Sequence, residues 1–396
     1  MSKEPDSSFQ HPDHYDIAII GGGPVGAALA LALGGSPLKI CVLEARAANA
    51  ASTDARALAL SYGSRLLLER LGVWDKIRDV SAIRTIHISQ KQSFGRALLR
   101  AGEMNVPELG YVLPYPALQD ALTDALQHGT VARIYGASVT RLAGEADHAL
   151  IGYQQGGVDH TLRTRLAVVA DGGKLLAEQY PPSFHDYGQS ALITHVTCAA
   201  PRADTAFERF TPQGPVALLP FKDGYEIVWT APHPRVAEML AWDDAQFLNE
   251  LHQHFGDRVG EFLTVGKRAC FALGLKKAPL QSPMPHVVLL GNAAQTMHPV
   301  AGQGFNLGLR DAWDLAQEVL DAPANTLGTE AMLQGYRSTR KLDREAGIRF
   351  TDSLVRLFSN ELPLVSAARA ASLTALDCLP FARKFVAKRM MFGANG

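Results

Sequence analysis

The hydrophobic pattern near the start of the chain predicts a strand, a helix and a second strand in close succession. Residues 17–20 form an apolar run between polar residues and glycine, which is typical of a short buried strand. Leucines among alanines at residues 29–33 then predict a slim helix that ends at Gly34 and Gly35. A second apolar run, residues 39–43, predicts another buried strand, which delivers Glu44 to its end.

Three further apolar patterns lie in the next part of the chain. The spacing of one buried helix face is carried by Leu66, Leu67, Leu71 and Trp74. An amphipathic helix after Pro116 is predicted because leucine recurs every four residues from 118 to 126. Residues 165–170 predict another buried strand, and it ends in Asp171 and two glycines.

Alternating hydrophobic and polar positions predict additional sheets outside this first unit. Residues 80–99 alternate enough to predict strands, and residues 185–272 predict an antiparallel sheet that covers the substrate, with helices inserted at 242–262. A buried strand returns at residues 287–290, before a glycine-rich loop that opens a long helix. Residues 351–396 are predicted to be helical.

Composition narrows the class of protein. The chain has 396 residues, of which 47% are hydrophobic and 19% charged, as is ordinary for a globular enzyme of one large domain or two. Its net charge of −1 gives no indication of a nucleic-acid partner. The four cysteines are widely spaced, so we predict free thiols and no metal site. With a polar beginning and no apolar run of about 18 residues, we expect a cytoplasmic protein.

The first loop has the spacing of a dinucleotide-binding motif. Gly21, Gly23 and Gly26 follow the first predicted strand in G-x-G-x-x-G spacing. The first glycine permits a tight turn, the second lets backbone N–H groups approach a pyrophosphate, and the third allows close packing of helix and strand. Glu44 lies about 20 residues farther on, where an acidic side chain can bind a ribose hydroxyl. The loop alone does not choose between FAD and NAD.

Three polar side chains near this unit have two interpretations each. Arg56 is either a surface charge or a cation beside a phosphate or flavin. Gln119 lies one residue past Leu118, off the predicted core face, so its plain interpretation is solvent exposure. Asp171 either caps a turn or contacts the phosphate or ribose of a cofactor.

The late glycine-rich loop is the second informative segment. Gly302 and Gly304 precede the long helix, and a helix N-terminus stabilises developing negative charge. Asn292 ends the preceding strand and can bond a sugar-like hydroxyl. The alternative interpretation is a capped core helix without a ligand.

The C-terminus interleaves cations with aromatic and methionine residues. Arg383, Lys384, Lys388 and Arg389 alternate with Phe381, Phe385, Met390, Met391 and Phe392. Two interpretations stay open, a helix pair packed on the core and an amphipathic surface that rests on anionic lipid. If the surface binds lipid, deletion of residues 381–396 should reduce liposome binding and leave FAD binding intact.

Three separated segments together resemble the class A flavoprotein aromatic hydroxylases of the para-hydroxybenzoate hydroxylase group. They are GGGPVG with Glu44, ADGG at residues 170–173, and GNAAQTMHPVAGQGFNLGLRDA at residues 291–312. Within this group the chain is most similar to the ubiquinone-biosynthesis hydroxylases of the UbiH/UbiF type, and GNAAQT resembles the branch that acts on 2-polyprenyl-6-methoxyphenols. Asn292 departs from the usual aspartate of the group, and ADGG departs from its usual ADG followed by serine.

The resemblance implies an α/β fold: a Rossmann-like FAD-binding domain of the para-hydroxybenzoate hydroxylase type, an inserted antiparallel-sheet substrate domain and a helical C-terminus. It implies a lead-in at 1–15, predicted to be disordered, an FAD-binding domain at 16–79, 100–182 and 283–345, a substrate domain at 80–99 and 183–282, and a C-terminal helical segment at 346–396.

The resemblance also implies the site residues. Contacts to FAD are implied for Gly21, Gly23, Gly26, Glu44, Ala45, Arg56, Gln119, Val139, Asp171, Gly291, Asn292, Pro299, Gly302, Gln303, Gly304, Phe305 and Asn306. His298, Pro299 and Gly302 are the residues implied near the reaction, although His298 has an equal alternative as a structural partner of the loop. No general base for the phenol is predicted.

The implied activity is hydroxylation of a polyprenylated phenol in ubiquinone biosynthesis, with FAD as cofactor and NADPH or NADH and O2 as co-substrates. The implied partners are the inner-membrane surface, reached through the C-terminus, and other enzymes of the pathway. Three alternatives stay open: a hydroxylase of another ring position or phenol, a flavin dehydrogenase without oxygen insertion, and a non-catalytic FAD-binding subunit.

Overall fold

The chain folds around three β-sheets and nine α-helices in the part that the structure describes, which is a computed structural model of residues 14–48, 50, 52, 54, 56–91, 95–298, 302–358 and 363–394. The helices are α1 (Pro24–Leu33), α2 (Tyr62–Arg70), α3 (Tyr115–Gln127), α4 (His233–Ala241), α5 (Asp244–Phe255), α6 (Gln303–Asp321), α7 (Glu330–Phe358), α8 (Pro363–Cys378) and α9 (Pro380–Phe392).

The strands before residue 170 are β1 (His14–Ile20), β2 (Ile40–Glu44), β3 (Ala57–Ser61), β4 (Ser81–Ile83), β5 (Thr85–Gln90), β6 (Arg96–Arg100), β7 (Gly110–Pro114), β8 (Ala132–Tyr135), β9 (Ser138–Gly144), β10 (Ala149–Gln155) and β11 (Val158–Val169). The later strands are β12 (Ser183–Cys198), β13 (Thr205–Thr211), β14 (Gly214–Phe221), β15 (Gly224–Pro232), β16 (Phe262–Val265), β17 (Ala269–Lys277), β18 (Val287–Leu289) and β19 (Gln295–Thr296).

A seven-stranded sheet carries the predicted βαβ unit. Its order is β8-β2-β1-β11-β10-β9, and β18 pairs with the C-terminal half of β11. The strands β8, β2, β1, β11 and β18 run parallel, so their carboxyl ends meet at one edge. Ile17 and Ile19 face one core cluster while Ala18 and Ile20 face another. Both faces are therefore covered, which explains why these strands read as continuous apolar runs.

The first strand begins earlier than the sequence pattern indicates. Residues 1–13 of the predicted lead-in lie outside the described residues. His14 and Tyr15, also assigned to that lead-in, are part of β1, and the Tyr15 side chain is buried. This part of the lead-in prediction is wrong because Tyr15 packs into the core cluster beneath the sheet.

A nine-stranded sheet forms the second layer, in the order β19-β17-β12-β15-β14-β13-β5-β6 with β16 beside β12. Its pairings are antiparallel as predicted, apart from the parallel pairing of β13 with β5. Val216 and Leu218 on β14 face the core cluster beneath α4 and α5, whereas Ala217 and Leu219 line a cavity on the opposite face. The period of two therefore divides each strand between a core and a cavity.

A short strand precedes helix α2. Residues 57–61 form β3 of a small sheet ordered β3-β7-β4, and α2 begins only at Tyr62. The fully buried residues of α2 are Ser64 and Leu68. Three residues of the predicted face are partly buried against the core cluster that contains Leu68, namely Leu67, Leu71 and Trp74. The predicted face is therefore confirmed apart from Leu66, which is not among the residues that pack on this core cluster.

The last helix of the chain packs against elements formed by its first 100 residues. Helix α7 begins at Glu330 and crosses the predicted boundary at residue 346. Ala387 and Met391 of α9 are buried against Leu99 of β6, and α9 also packs on α2. Among the described residues, every helix is too short or too polar to cross a bilayer.

Candidate active site

The glycine loop between β1 and α1 shows which glycines are needed for packing and which leaves space. A Cβ on Gly26 would lie 2.1 Å from the carbonyl oxygen of Gly21, and Gly21 itself has a φ of +106°. In the part of the chain that the structure describes, a Cβ on Gly23 would meet only the hydroxyl oxygen of Tyr115, at 4.0 Å. The first and third glycines therefore serve the fold, while the space above Gly23 is open to a ligand.

Glu44 closes one side of this loop. Its carboxylate accepts hydrogen bonds from the Gly22 N–H at 2.7 Å and from the Arg46 Nε at 2.9 Å. Burial raises the pKa of Glu44, but the hydrogen bonds and charge of Arg46 outweigh it, so the pKa is lowered overall. Glu44 is therefore held as a carboxylate at the rim of a cavity of about 200 Å³, which Gly22, Arg46, Gln119 and Tyr135 also line.

Gln119 belongs to this site and is not solvent-exposed. Its side chain is 5% exposed, and its Nε2 donates to the Gly22 carbonyl at 2.9 Å and to Thr123 Oγ1 at 3.1 Å. Its Oε1 is buried and has no hydrogen-bond partner among the residues that the structure describes. A buried acceptor without a donor is costly, so this oxygen is a natural contact for a ligand hydroxyl or N–H.

Arg56 and Asp171 have local partners in the structure. Arg56 forms a bidentate ion pair with Asp54, and its guanidinium lies 5.9 Å from the Phe271 ring centroid at the wall of a second cavity. Asp171 accepts hydrogen bonds from the N–H groups of Gly173 and Leu175, at 2.8 and 2.6 Å. Asp171 thus caps the turn after β11, which is the first of its two predicted roles.

The N-terminus of α6 lies at the second cavity. Gly302 is its N-cap, with a φ of +61°, and a Cβ there would lie 2.9 Å from the Ala59 Cβ. A Cβ on Gly304 would have no neighbour within 4 Å among the described residues. The first turn of an α-helix directs its N–H groups out of its N-terminus, so this end presents partial positive charge to the cavity.

Asn306 fixes this helix end with its side chain. Its Oδ1 accepts hydrogen bonds from the Ser61 N–H and the Ser64 Oγ, and its Nδ2 donates to the carbonyls of Ala59 and Gly302. The amide is thereby engaged within the protein. A cofactor contact of Asn306 would have to use its backbone N–H.

The second cavity is large and mostly apolar, with a volume of about 630 Å³. It begins at Arg56, Asn292 and Gly302–Asn306 and extends along the open face of the nine-stranded sheet. Its far wall is made by the C-terminal helices, through Leu354, Leu373, Leu376, Val386, Met390 and Met391. This volume is within the range of cavities that bury small-molecule ligands.

His298 does not line this cavity. Its side chain is 1% exposed, packs edge-on to the Tyr187 ring at 5.5 Å, and has a pKa lowered to about 4 by burial. It is therefore neutral near pH 7. Pro299, implied in both site roles, lies outside the described residues.

Of the other implied contacts, some line the large cavity and some lie outside both cavities. Gly291 has a φ of +54° and packs on Val25 of α1, which lets Asn292 reach the large cavity. Phe305 also lines that cavity. Ala45 is exposed after β2, and Val139 on β9 packs against the core cluster rather than lining either cavity.

Two contributors to the site were missed from the sequence. Tyr115, the first residue of α3, stands over Gly23 and lines the large cavity, and its position before Pro116 at a helix start was the available signal. The C-terminal helices were predicted as core or lipid surface. Their part in the cavity wall has no local sequence signal, because it depends on contacts between distant parts of the chain.

Comparisons with known proteins agree on a flavin enzyme. The model of the FAD binding domain family matches residues 14–351. Ubiquinone hydroxylase UbiL of Rhodospirillum rubrum is 31% identical, covering 95% of this chain and 89% of that protein. The 3-demethoxyubiquinol 3-hydroxylase of Escherichia coli is 32% identical, covering 91% of this chain and 94% of that protein.

A solved structure supports the fold. The p-nitrophenol 4-monooxygenase of Pseudomonas putida superposes with a TM-score of 0.76 at 18% identity, covering 97% of this chain and all of that one. The predicted fold class is confirmed, an α/β FAD-binding fold with a large sheet beside it and a helical C-terminus. The residues present fit FAD, because the space over Gly23, the unpartnered Gln119 oxygen and the open end of α6 suit an extended dinucleotide.

Proposed function

We propose that the chain, which belongs to the FAD binding domain family and is an FAD-dependent monooxygenase, hydroxylates a polyprenylated phenol with NAD(P)H and O2 in ubiquinone biosynthesis. The substrate we propose is a 2-polyprenyl-6-methoxyphenol. The observation that carries the proposal is the apolar cavity of about 630 Å³ that leads from the α6 N-terminus to the C-terminal helices. The names of the two curated relatives support the pathway.

Residues at both cavities would hold the cofactor. Glu44 and Gln119 would bind the ribose side, the loop at Gly23 would accept the pyrophosphate, and Arg56 would lie beside the flavin. The α6 N-terminus would stabilise negative charge on the reduced ring by about 0.3–2 kcal/mol. FAD, when bound, supplies the reductive activation of dioxygen.

The cavity walls would position the phenol and keep water out. Ile88, Ala217 and Val228 provide an apolar floor from three strands of the large sheet. Leu373, Leu376 and Val386 provide an apolar roof where a prenyl tail would lie. Each buried methylene contributes about 0.8 kcal/mol, so even a short tail should raise affinity strongly.

The proposal is tested by flavin reduction and product analysis. Purified FAD-loaded protein is mixed with NADPH, with and without 2-geranyl-6-methoxyphenol, and the tail-less 2-methoxyphenol serves as control. We expect bleaching of the bound flavin, a hydroxylated product, and a KM at least about tenfold lower for the tailed phenol. Equal KM values would contradict a tail channel, and product from another ring position would favour the related hydroxylases. Failure of NADPH and NADH to bleach the flavin would favour a non-catalytic subunit.

We also propose that α9 rests on an anionic membrane, from which an apolar substrate would enter. Phe381 and Phe385 are 71% and 61% exposed, and Lys384 and Lys388 are exposed beside them. The sequence of α9 contains no acidic residue. Exposed aromatic side chains with cations and no acids complement a negatively charged lipid surface.

This part is tested by vesicle binding. The double variant Phe381→Ser with Phe385→Ser should lose binding to vesicles that contain anionic lipid, and it should keep its FAD spectrum. Phe184→Ser is the matched control, because Phe184 on β12 is 59% exposed, lies beside Lys276 of β17 and is not part of α9. Equal vesicle binding by the double variant and the wild type would remove the membrane from the proposal.

A further inference from the structure

One ionisable side chain in the apolar cavity has no assigned role. Glu208 is near the middle of β13, where its neighbours across the sheet are Ala217 on β14 and Ile88 on β5. It lines the cavity, and among the described residues its carboxylate has no hydrogen-bond or ion-pair partner. Burying a carboxylate without a partner on an apolar wall costs free energy. Ionisable groups in such surroundings are enriched at functional sites.

The surroundings of Glu208 are uncharged. Strand β14 has no titratable residue, and Arg209, its chain neighbour, donates to Ser89. His87 on β5 contacts the Phe207 ring, which belongs to the core cluster on the opposite face of the sheet. The described lining residues from the C-terminal helices are all uncharged.

Other titratable groups of this cavity are already engaged or stand at its margin. Arg56 is paired with Asp54, and Glu226 forms an ion pair with His195 at 3.1 Å. Tyr115 stands beside the glycine loop. Glu208 is thus the carboxylate that faces the cavity without a cation of its own in the described structure.

The burial of Glu208 sets its protonation. Part of its surface is accessible, but that part faces the cavity, and burial raises the pKa of the carboxyl to about 7. A carboxylate with a pKa near the working pH is suited to general base catalysis. The nearby charges that would normally hold a glutamate ionised are absent from the described surroundings.

We propose that Glu208 is the proton acceptor for the hydroxyl of the phenol, an inference that rests on the proposed function. When the ring carbon forms its bond to one oxygen atom of O2, positive charge develops at the phenol oxygen and its O–H becomes acidic. That proton passes to the Glu208 carboxylate. As aromaticity returns, the ring C–H proton leaves to water and Glu208 gives its proton back to the former phenol oxygen. The other oxygen atom leaves as water, and NAD(P)H supplies both electrons through FAD.

The first test measures binding and needs no turnover. FAD-loaded wild type is titrated with 2-geranyl-6-methoxyphenol and with its methyl ether between pH 5.5 and about 8.5, which spans the pKa of about 7. The phenol donates a hydrogen bond to ionised Glu208, whereas the ether cannot. We expect phenol affinity to rise about tenfold with pH and ether affinity to stay flat or fall. Glu208→Gln should abolish this difference, and Glu226→Gln should retain it.

The second test measures turnover. At pH 7, kcat/KM of Glu208→Gln should fall by about 10²–10⁴-fold. It should recover toward pH 10, where the phenol ionises by itself. Glu208→Asp should keep the pH dependence of kcat/KM near neutral pH, at a reduced rate. It replaces Glu208→Gln in this test if the glutamine variant fails to retain FAD. If Glu208 had only a structural role, its replacement would change protein stability and leave the pH dependence of kcat/KM unchanged.

Either of two results would overturn the assignment. One is a wild type that binds phenol and ether with the same pH dependence, and the other is a Glu208→Gln variant with the wild-type profile. Wild-type hydroxylation together with either result would leave the proposed function standing. Absence of wild-type hydroxylation would reject the proposed function independently of Glu208.

Discussion

The carbonyl oxygen of Met390 accepts a hydrogen bond from Gln303 Nε2 at 3.2 Å, which joins the last helix to the first residue of α6. The backbone of α9 also approaches α2 closely, because a Cβ on Gly63 would lie 2.4 Å from the Met391 carbonyl oxygen. Helix α9 is therefore a wall of the candidate site as well as a candidate membrane surface.

Deletion of residues 380–396 should release FAD and lower the melting temperature. The deletion removes Ala387 and Met391 from the core and opens the cavity to water. This replaces the sequence-based expectation that a C-terminal deletion leaves FAD binding intact. Flavin fluorescence and a thermal melt measure both effects, with the Phe381→Ser, Phe385→Ser protein as control. Full retention of FAD by the truncated protein would show that α9 is dispensable for the site.

Two substitutions in the glycine loop should have different effects, one on FAD binding and the other on folding. Gly23→Ala should keep the fold, because its Cβ meets nothing closer than 4.0 Å, and weaken FAD binding by tenfold or more. Gly26→Ala should fail to fold stably, because its Cβ would lie 2.1 Å from a carbonyl oxygen. Circular dichroism and FAD titration distinguish the two variants. A Gly23→Ala protein with wild-type FAD affinity would place the pyrophosphate elsewhere.

His298 should make stability depend on pH. Burial lowers the pKa of His298 from 6.5 to about 4. Between these two pH values the imidazole is protonated in the unfolded chain and neutral in the folded chain. The contribution of neutral His298 to the free energy of unfolding is complete above pH 6.5. It falls by roughly 3 kcal/mol as the pH is lowered toward 4. Urea unfolding at several pH values should show a shallower acid loss for His298→Asn than for the exposed control His128→Asn. Parallel curves would contradict the neutral buried state.

The ion pairs of Arg340 should be among the strongest stabilising contacts of α6. Arg340 is 1% exposed and bonds Asp311 at 2.8 Å, Asp314 at 2.7 Å and Asp343 at 2.9 Å. Arg340→Met leaves the buried Asp311 carboxylate without its cation, while Asp343 keeps its pair with Arg310, and it should reduce the free energy of unfolding by about 3–5 kcal/mol. Arg337→Met, which breaks an exposed pair with Glu330, should cost about 0–1 kcal/mol. Equal losses in urea unfolding would contradict this difference.

Local patterns predicted the parts of the site that local chemistry determines. The spacing of Gly21, Gly23 and Gly26 and the glycine-rich loop at Gly302 follow from short-range backbone needs. The sequence was therefore sufficient for the βαβ unit and for the start of α6. The domain boundaries and the individual cofactor contacts remain predictions.

The features that the sequence did not predict depend on contacts between distant parts of the chain. A four-residue leucine repeat put Gln119 outside the core face of α3, but the carbonyl of Gly22 lies over that side of the helix and buries it. The wall formed by α8 and α9 is built from residues some 280 positions away from β6, which no window of sequence contains. Glu208 was missed for the same reason, since its apolar surroundings arise only when three strands and the C-terminal helices meet.

The most direct measurement of the central claim is isotope incorporation from dioxygen. FAD-loaded protein is supplied with NADPH, 2-geranyl-6-methoxyphenol and ¹⁸O2, and the product is analysed by mass spectrometry. The account predicts a hydroxylated phenol that carries one ¹⁸O atom on its ring. A reduced flavin that passes its electrons on, with no ¹⁸O in any phenol product, would contradict it and identify a dehydrogenase.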